Sequence, residues 1–297
     1  MVKKVYIESN GCAVLRHDTQ RYAKYLRLNG WKEVSTPDSA DLILYSSCGV
    51  TKDTEDFAVD SIQKLKKRIK KTAQLIICGC LPKINKIRLA KEFDFLSFGP
   101  NEETFLDNFI KAKIPLKDIY WDGKIHREHS LGDPNVKKNS LEFNREKIEL
   151  DEFNLANSLS KKYKNPLFVE IYAYLTSGKY LWKEEDLFEV KVAQGCNYNC
   201  SYCATKNAKG DLQSVNLEKI KENVLFGIKT GFKKILFTGD EVGEYGIDRG
   251  LTIRDLIKQC DDIQNDFKIA LRYVSPVSLV KHYSYLKKYF ETGKIYY

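Results

Sequence analysis

The sequence predicts an α/β protein, an N-terminal parallel-sheet α/β domain followed by a partial β/α barrel. Three observations carry this. Short apolar runs alternate with amphipathic helical stretches through the first 110 residues, the same alternation resumes at Phe188, and cysteines fall just after the predicted strands in both halves. At 297 residues the chain has room for about two domains. Its 43% hydrophobic content is enough to give each a core. The expected organisation is 1–112 as the first domain, 113–187 as a connecting segment and 188–297 as the partial barrel.

In the first domain, 5–8 reads as a strand and 18–28 as a helix with Tyr22, Tyr25 and Leu26 on one side. Residues 42–45 form the next strand and 51–71 a long amphipathic helix. Strands over 74–77 and 95–98 complete the sheet. Helices of this length between strands imply a parallel sheet covered on both faces.

Three cysteines occupy equivalent places on that sheet. Cys12 follows the first strand in Glu8-Ser-Asn-Gly-Cys12, Cys48 follows the second in Ser46-Ser-Cys-Gly-Val50, and Cys80 follows the third in Gly79-Cys-Leu-Pro82. Open α/β sheets build their sites beyond the carboxyl ends of strands. Three thiols there suit an iron–sulfur cluster; the alternative is three unrelated core cysteines. Cys78 points to the other face of its strand and reads as core, as does Cys260 on a helical pattern.

The middle of the chain is less regular. Asp118 to Asn139 is polar and rich in turns, and His126 and His129 lie there without further ligands nearby, so a solvated loop is the simpler reading.

In the second half, 189–193 is a strand, 217–229 a helix, 234–237 a strand and 252–264 a helix. A strand over 268–274, a helix over 277–290 and the start of a strand at 294 follow. Successive β/α units of this kind place chemistry in the loops after the strands. The loop after the first holds Cys196, Cys200 and Cys203 in Gln194-Gly-Cys-Asn-Tyr-Asn-Cys-Ser-Tyr-Cys203. This C-x₃-C-x₂-C triplet fits three irons of a [4Fe–4S] cube and leaves the fourth open to a substrate or cofactor. A structural zinc site wants four ligands, and no second cysteine pair follows. Thr238, Gly239, Asp240 and Glu241 occupy the next strand-end loop. Arg272 lies on the third strand of this half, either in the site or in a structural ion pair.

The chain begins Met-Val-Lys-Lys without a signal-peptide pattern, and no run approaches the roughly 18 apolar residues of a membrane span. A cytoplasmic protein with no membrane partner is expected, its eight cysteines serving as metal ligands or redox groups and not as disulfides. The net charge of +9 permits a nucleic-acid partner. Six Lys or Arg between Lys64 and Lys71 read either as a solvated helix face or as an RNA contact.

Taken together, these motifs resemble the methylthiotransferase branch of the radical SAM superfamily. The first half carries the resemblance through Tyr6-Ile-Glu-Ser-Asn-Gly-Cys12, Ser46-Ser-Cys-Gly-Val50 and Gly79-Cys-Leu-Pro82. The second carries it through the Cys196 triplet, Lys209-Gly-Asp-Leu-Gln-Ser214 and Phe237-Thr-Gly-Asp-Glu-Val-Gly-Glu-Tyr-Gly-Ile-Asp248. Ala204-Thr-Lys-Asn-Ala-Lys-Gly210 and the Asp240-to-Gly246 stretch resemble most the archaeal and eukaryotic type, which acts on threonylcarbamoyladenosine in tRNA. The resemblance makes the second half a partial radical SAM barrel.

The resemblance implies two [4Fe–4S] clusters and S-adenosyl-L-methionine (SAM) as cofactors. Cys196, Cys200 and Cys203 bind the radical cluster, whose free iron chelates SAM. Cys12, Cys48 and Cys80 bind an auxiliary cluster that carries the donated sulfur. Thr238, Gly239, Asp240 and Glu241 take the place of the superfamily's SAM-amino loop, and Arg272 is a further SAM-site candidate. One electron from a flavodoxin or ferredoxin cleaves SAM to a 5′-deoxyadenosyl radical, and the product is a methylthio group at C2 of the modified adenosine at position 37. Members of the branch normally continue past a His-Ile-Pro-Val-Gln-Ser-Gly-Ser stretch to a small RNA-binding β domain. This chain stops at Lys294-Ile-Tyr-Tyr297, so a C-terminally truncated member is expected, with an open barrel edge that favours self-association or a partner chain. Two other classes stay open: a methylthiotransferase acting on a protein or peptide side chain, and an inactive or partner-dependent cluster-binding protein.

Overall fold

The computed structural model describes residues 2–119 and 187–296. His126, His129 and the rest of residues 120–186, with the last residue of the expected C-terminal strand, lie outside the described residues.

The first sheet has five parallel strands in the order β2-β1-β3-β4-β5. They are β1 (Lys4–Ser9), β2 (Lys32–Glu33), β3 (Leu42–Ser47), β4 (Gln74–Gly79) and β5 (Leu96–Ser97). The central strands are apolar and β-branched, and β3 is buried along its whole length, as a sheet covered on both faces requires. Two-residue β2 carries no periodic signal and escaped the sequence reading. The expected strand at 95–98 shrinks to two paired residues.

One face is covered by α1 (Ala13–Leu28) and, further along the chain, α5 (Thr104–Ile110), with Tyr22, Tyr25, Leu26 and Leu106 packed on Ile7, Leu44 and Ile76. Cys78 is fully buried in this cluster, as expected, and burial pushes its thiol up. The other face is covered by α2 (Lys52–Arg68), α3 (Leu81–Ile84) and α4 (Lys86–Glu92), through Ala58, Ile62, Leu65, Leu81 and Leu89.

The helix expected from Asp18 begins five residues earlier, at Ala13. Val14 and Leu15 are buried, so the first turn is held by packing that the polar sequence around Asp18 did not reveal. Cys12 is therefore the residue that opens α1. Helix α2 starts behind a capping box between Thr51 and Thr54 and ends at Arg68. Its basic end is largely engaged: Lys64 pairs with Asp60, Arg68 with Asp38 and Lys70 with Asp41, while Lys66 lies over the Phe95 ring.

The second sheet has the order β10-β9-β6, from β6 (Leu187–Lys191), β9 (Lys234–Thr238) and β10 (Lys268–Leu271). Ile295 bridges Ile269 in parallel, where the next strand was expected. The helices α7 (Leu217–Lys229), α8 (Ile253–Asp261) and α9 (Pro276–Glu291) cover one face. Their apolar residues pack on Phe188, Val190, Ile235, Phe237, Ile269 and Leu271.

Two expected strands end early. The first leaves its sheet after Lys191, and Ala193–Gln194 (β7) turns away to pair antiparallel with Gln213–Ser214 (β8). Gly195 makes this possible: its φ is +73°, and a Cβ there would collide with the Asp211 carbonyl. The third strand stops at Leu271, so Arg272 lies just beyond it and not on it. Tyr273 adopts φ +65°, a left-handed conformation that breaks an extended strand. Helix α8 is likewise shorter than expected, ending at Asp261.

Candidate functional site

The three N-terminal cysteines follow β1, β3 and β4, which are neighbours in the sheet, so their loops lie side by side. Asn10 ties two of them together. Its side-chain carbonyl accepts the Cys48 N–H at 2.8 Å, its amide donates to Thr54 O at 3.1 Å, and its own N–H donates to Ser46 O. The third loop is held by Ser47, whose hydroxyl donates to Cys78 O at 2.8 Å and whose carbonyl accepts the Cys80 N–H at 2.9 Å. Gly79 permits this approach, with φ +92° and room for no Cβ, which would lie 2.6 Å from Ser47 O. Sequence reasoning quoted Asn10 and Ser47 only as motif letters and missed both roles.

Cys48 and Cys80 are buried and Cys12 opens to solvent. Desolvation pushes the Cys80 thiol up to about 12, with Lys209 pulling the other way and Cys48 and Cys12 adding to the rise. Cys12 is raised too, by desolvation first and also by Cys48.

In the second half, Cys196, Cys200 and Cys203 lie on a loop that leads directly into α6 (Ala204–Lys209). The loop is held from several sides. The Cys196 N–H donates to Gly210 O, the Lys206 ammonium donates to Cys196 O at 2.5 Å, and the Cys203 N–H donates to Cys200 O. The Tyr198 hydroxyl donates to Glu244 at 3.0 Å and meets Ser278 at 3.0 Å, so Tyr198 anchors the loop to α9. Tyr202, in contrast, is exposed. Desolvation raises Cys196, and Glu241 and Cys203 add to it.

Among the described residues no three His, Cys, Asp or Glu side chains close round a single metal ion. A cube presents its irons at separate corners and takes its ligands wider apart. Both triads offer the thiol donors such clusters use, so the residues present fit the group.

Thr238, Gly239, Asp240 and Glu241 stand at the end of β9, next to the cysteine loop. Val192 N–H donates to Thr238 O at 2.8 Å. The Thr238 hydroxyl is fully buried without a hydrogen-bond partner in the structure. Asp240 accepts from Gly195 N–H at 2.9 Å and from the Lys209 ammonium at 3.0 Å. Glu241 accepts from Gly243 N–H and, through both oxygens, from Ser275 N–H. A carboxylate offers about four acceptor positions, so Asp240 keeps capacity for a ligand's ammonium while it braces the loop. Arg272 continues the ladder, N–H to Phe237 O, with its guanidinium 5.6 Å from the Tyr273 ring centre.

The two halves meet. Helix α6, which opens after Cys203, packs on α3, which opens after Cys80. Lys191 of β6 forms a largely buried ion pair with Asp18 of α1. Asn101 donates to Lys209 O at 2.8 Å and accepts from the Gln194 side chain at 2.6 Å. The described parts of both sheets belong to one compact unit.

Family comparison agrees with this architecture half by half. Residues 4–99 match the model described as uncharacterized protein family UPF0004, and residues 190–295 match the radical SAM superfamily. A relative from Pyrococcus horikoshii, named "Probable threonylcarbamoyladenosine tRNA methylthiotransferase", is 27% identical over 99% of this chain. The chain joins a UPF0004 region to a radical SAM region, and in both it is similar to proteins named as methylthiotransferases. A Danio rerio relative named threonylcarbamoyladenosine tRNA methylthiotransferase is 25% identical over 99% of this chain. The chain spans 58% of the Pyrococcus relative's length and 46% of the zebrafish one's. Among solved structures, the radical SAM methyltransferase TsrM of Kitasatospora setae aligns with 91% of the chain and 54% of its own. The TM-score is 0.48 at 10% identity, which adds nothing to the assignment. Among the described residues, no helix is long and apolar enough to cross a membrane.

Proposed function

We propose that this chain carries out methylthio transfer to C2 of threonylcarbamoyladenosine at position 37 of tRNA. The observation that supports this most is the presence of two cysteine triads, each following strands of its own sheet, in one compact unit joined through α3, α6 and the Lys191–Asp18 pair. Cys196, Cys200 and Cys203 would hold one cluster, and Cys12, Cys48 and Cys80 the other. When bound, the clusters and SAM supply radical generation at the first site and the sulfur at the second. The chain's own residues hold the geometry. Lys206 and Gly210 fix Cys196, Asn10 fixes the loops of Cys12 and Cys48, and Asp240 and the buried Thr238 hydroxyl stand ready to orient SAM. In this reading a flavodoxin or ferredoxin is the electron donor, and the net charge of +9 favours a phosphate-rich substrate.

Mass spectrometry of tRNA nucleosides and of ribosomal proteins, from cells with and without this chain, tests the reading. Loss of the methylthio adenosine alone is the expected result. Loss of a methylthio side chain in a ribosomal protein, with tRNA unchanged, would replace it with the protein-directed alternative.

A further inference from the structure

Lys209 is the one lysine buried among the described residues, with 1% of its surface exposed. Its ammonium reaches Asp240 at 3.0 Å, in the loop after β9. Its backbone is pinned by Asn101, and its helix packs on the one that opens at Cys80. Burial alone would pull its pKa down. Asp240 first, then Asp18, Cys80 and Cys12, outweigh burial and raise it, so Lys209 stays a cation. A fixed charge with little water around it acts strongly on its neighbours.

We propose that Lys209 is a positioning residue that raises the reduction potential of the cluster held by Cys12, Cys48 and Cys80, with Asp240 as the opposing charge. This rests on the reading that those cysteines hold a cluster. Reduction adds one negative charge to a cluster, and net charge around it is one determinant of its potential. A buried cation on a helix packed against the helix that opens after Cys80 favours the reduced state, and the Asp240 carboxylate beside it works against that gain. The arrangement ties the electronics of the N-terminal site to the loop expected to meet SAM. A ligand ammonium at Asp240 would weaken its hold on Lys209.

The test is a reductive titration of the reconstituted full chain, with each cluster followed by electron paramagnetic resonance. The N-terminal signal is assigned from a variant lacking Cys196, Cys200 and Cys203. Lys209→Met should move the N-terminal potential negative, and more than that of the other cluster. Lys209→Arg should restore it, and Asp240→Asn should move it positive. Shifts of the same sign in Lys209→Met and Asp240→Asn, or none in either, would overturn the proposal. Should Lys209→Met fail to load iron, Asp240→Asn decides alone: a positive shift supports the proposal and any other result rejects it. A wild-type chain that binds only the four irons of the Cys196 triad would instead remove the reading beneath the proposal, and the iron count tells the two failures apart.

Discussion

The side-chain carbonyl of Asn10 accepts the backbone N–H of Cys48 at 2.8 Å, and so joins two cysteine loops across 38 residues of sequence. Asn10→Ala removes this bond and the one to Thr54 O. The expected cost is about 1–3 kcal/mol, from a part-buried amide left unsatisfied. Iron retention should fall at the N-terminal site and hold at the Cys196 triad. Denaturant unfolding and iron analysis in a Cys196/Cys200/Cys203→Ala background check this.

Gly79→Ala should do more damage than its size suggests. The backbone has φ +92°, and the new Cβ would meet Ser47 O at 2.6 Å, a backbone atom that cannot swing aside. Misplacing Ser47 releases the Cys80 N–H, so the variant should lose stability by more than the ~1 kcal/mol typical of a compatible Gly→Ala exchange, with the opposite sign. A thermal melt of the cluster-free chain against wild type gives the answer, and an unchanged midpoint would contradict the geometry.

The buried pair between Lys191 and Asp18 links β6 to α1, and both side chains are mostly withdrawn from water. Asp18 feels burial, which raises its pKa, but Lys191 and Lys209 outweigh it and hold the carboxyl below its ordinary value. Lys191→Met strands the carboxylate and should cost about 3–5 kcal/mol, whereas replacing both partners with apolar residues should cost much less. A double-mutant cycle in denaturant measures the difference. Additive single costs would mean the pair is not coupled.

His17 gives the fold a pH dependence. Burial pulls its pKa down to about 3, helped by Lys191, so it is neutral in the native state and charges on unfolding. Between its unfolded value near 6.5 and about 3 the unfolded chain binds the extra proton, and stability falls as pH falls. From pH 7 to pH 5 the loss is about 2 kcal/mol. Asp18, held low, adds its own loss only below about pH 4. Chemical denaturation of the cluster-free wild type and of His17→Gln at the two pH values should show the variant losing less. Parallel losses would assign the effect elsewhere.

Much of this was readable in the residues. The cysteine loops followed strands as expected because apolar runs such as Leu42-Ile-Leu-Tyr45 signal buried strands plainly, and parallel strands force their loops to one end. Element ends were harder. Helix α1 starts at Ala13 because Val14 and Leu15 are buried, a tertiary fact that local polarity hides. The third barrel strand stops early because Tyr273 takes a left-handed backbone, which no tyrosine announces. The roles of Asn10, Lys191 and Lys209 depend on partners 31 to 173 residues away, and only the fold brings them together.

The account stands on two separate cysteine centres in one chain, and iron counting tests that most directly. Anaerobically reconstituted wild-type chain should bind about eight irons, as two cubes of four. Replacing Cys196, Cys200 and Cys203 with Ala should remove about half, and replacing Cys12, Cys48 and Cys80 should remove the other half. An iron count that survives either triple replacement intact would contradict it.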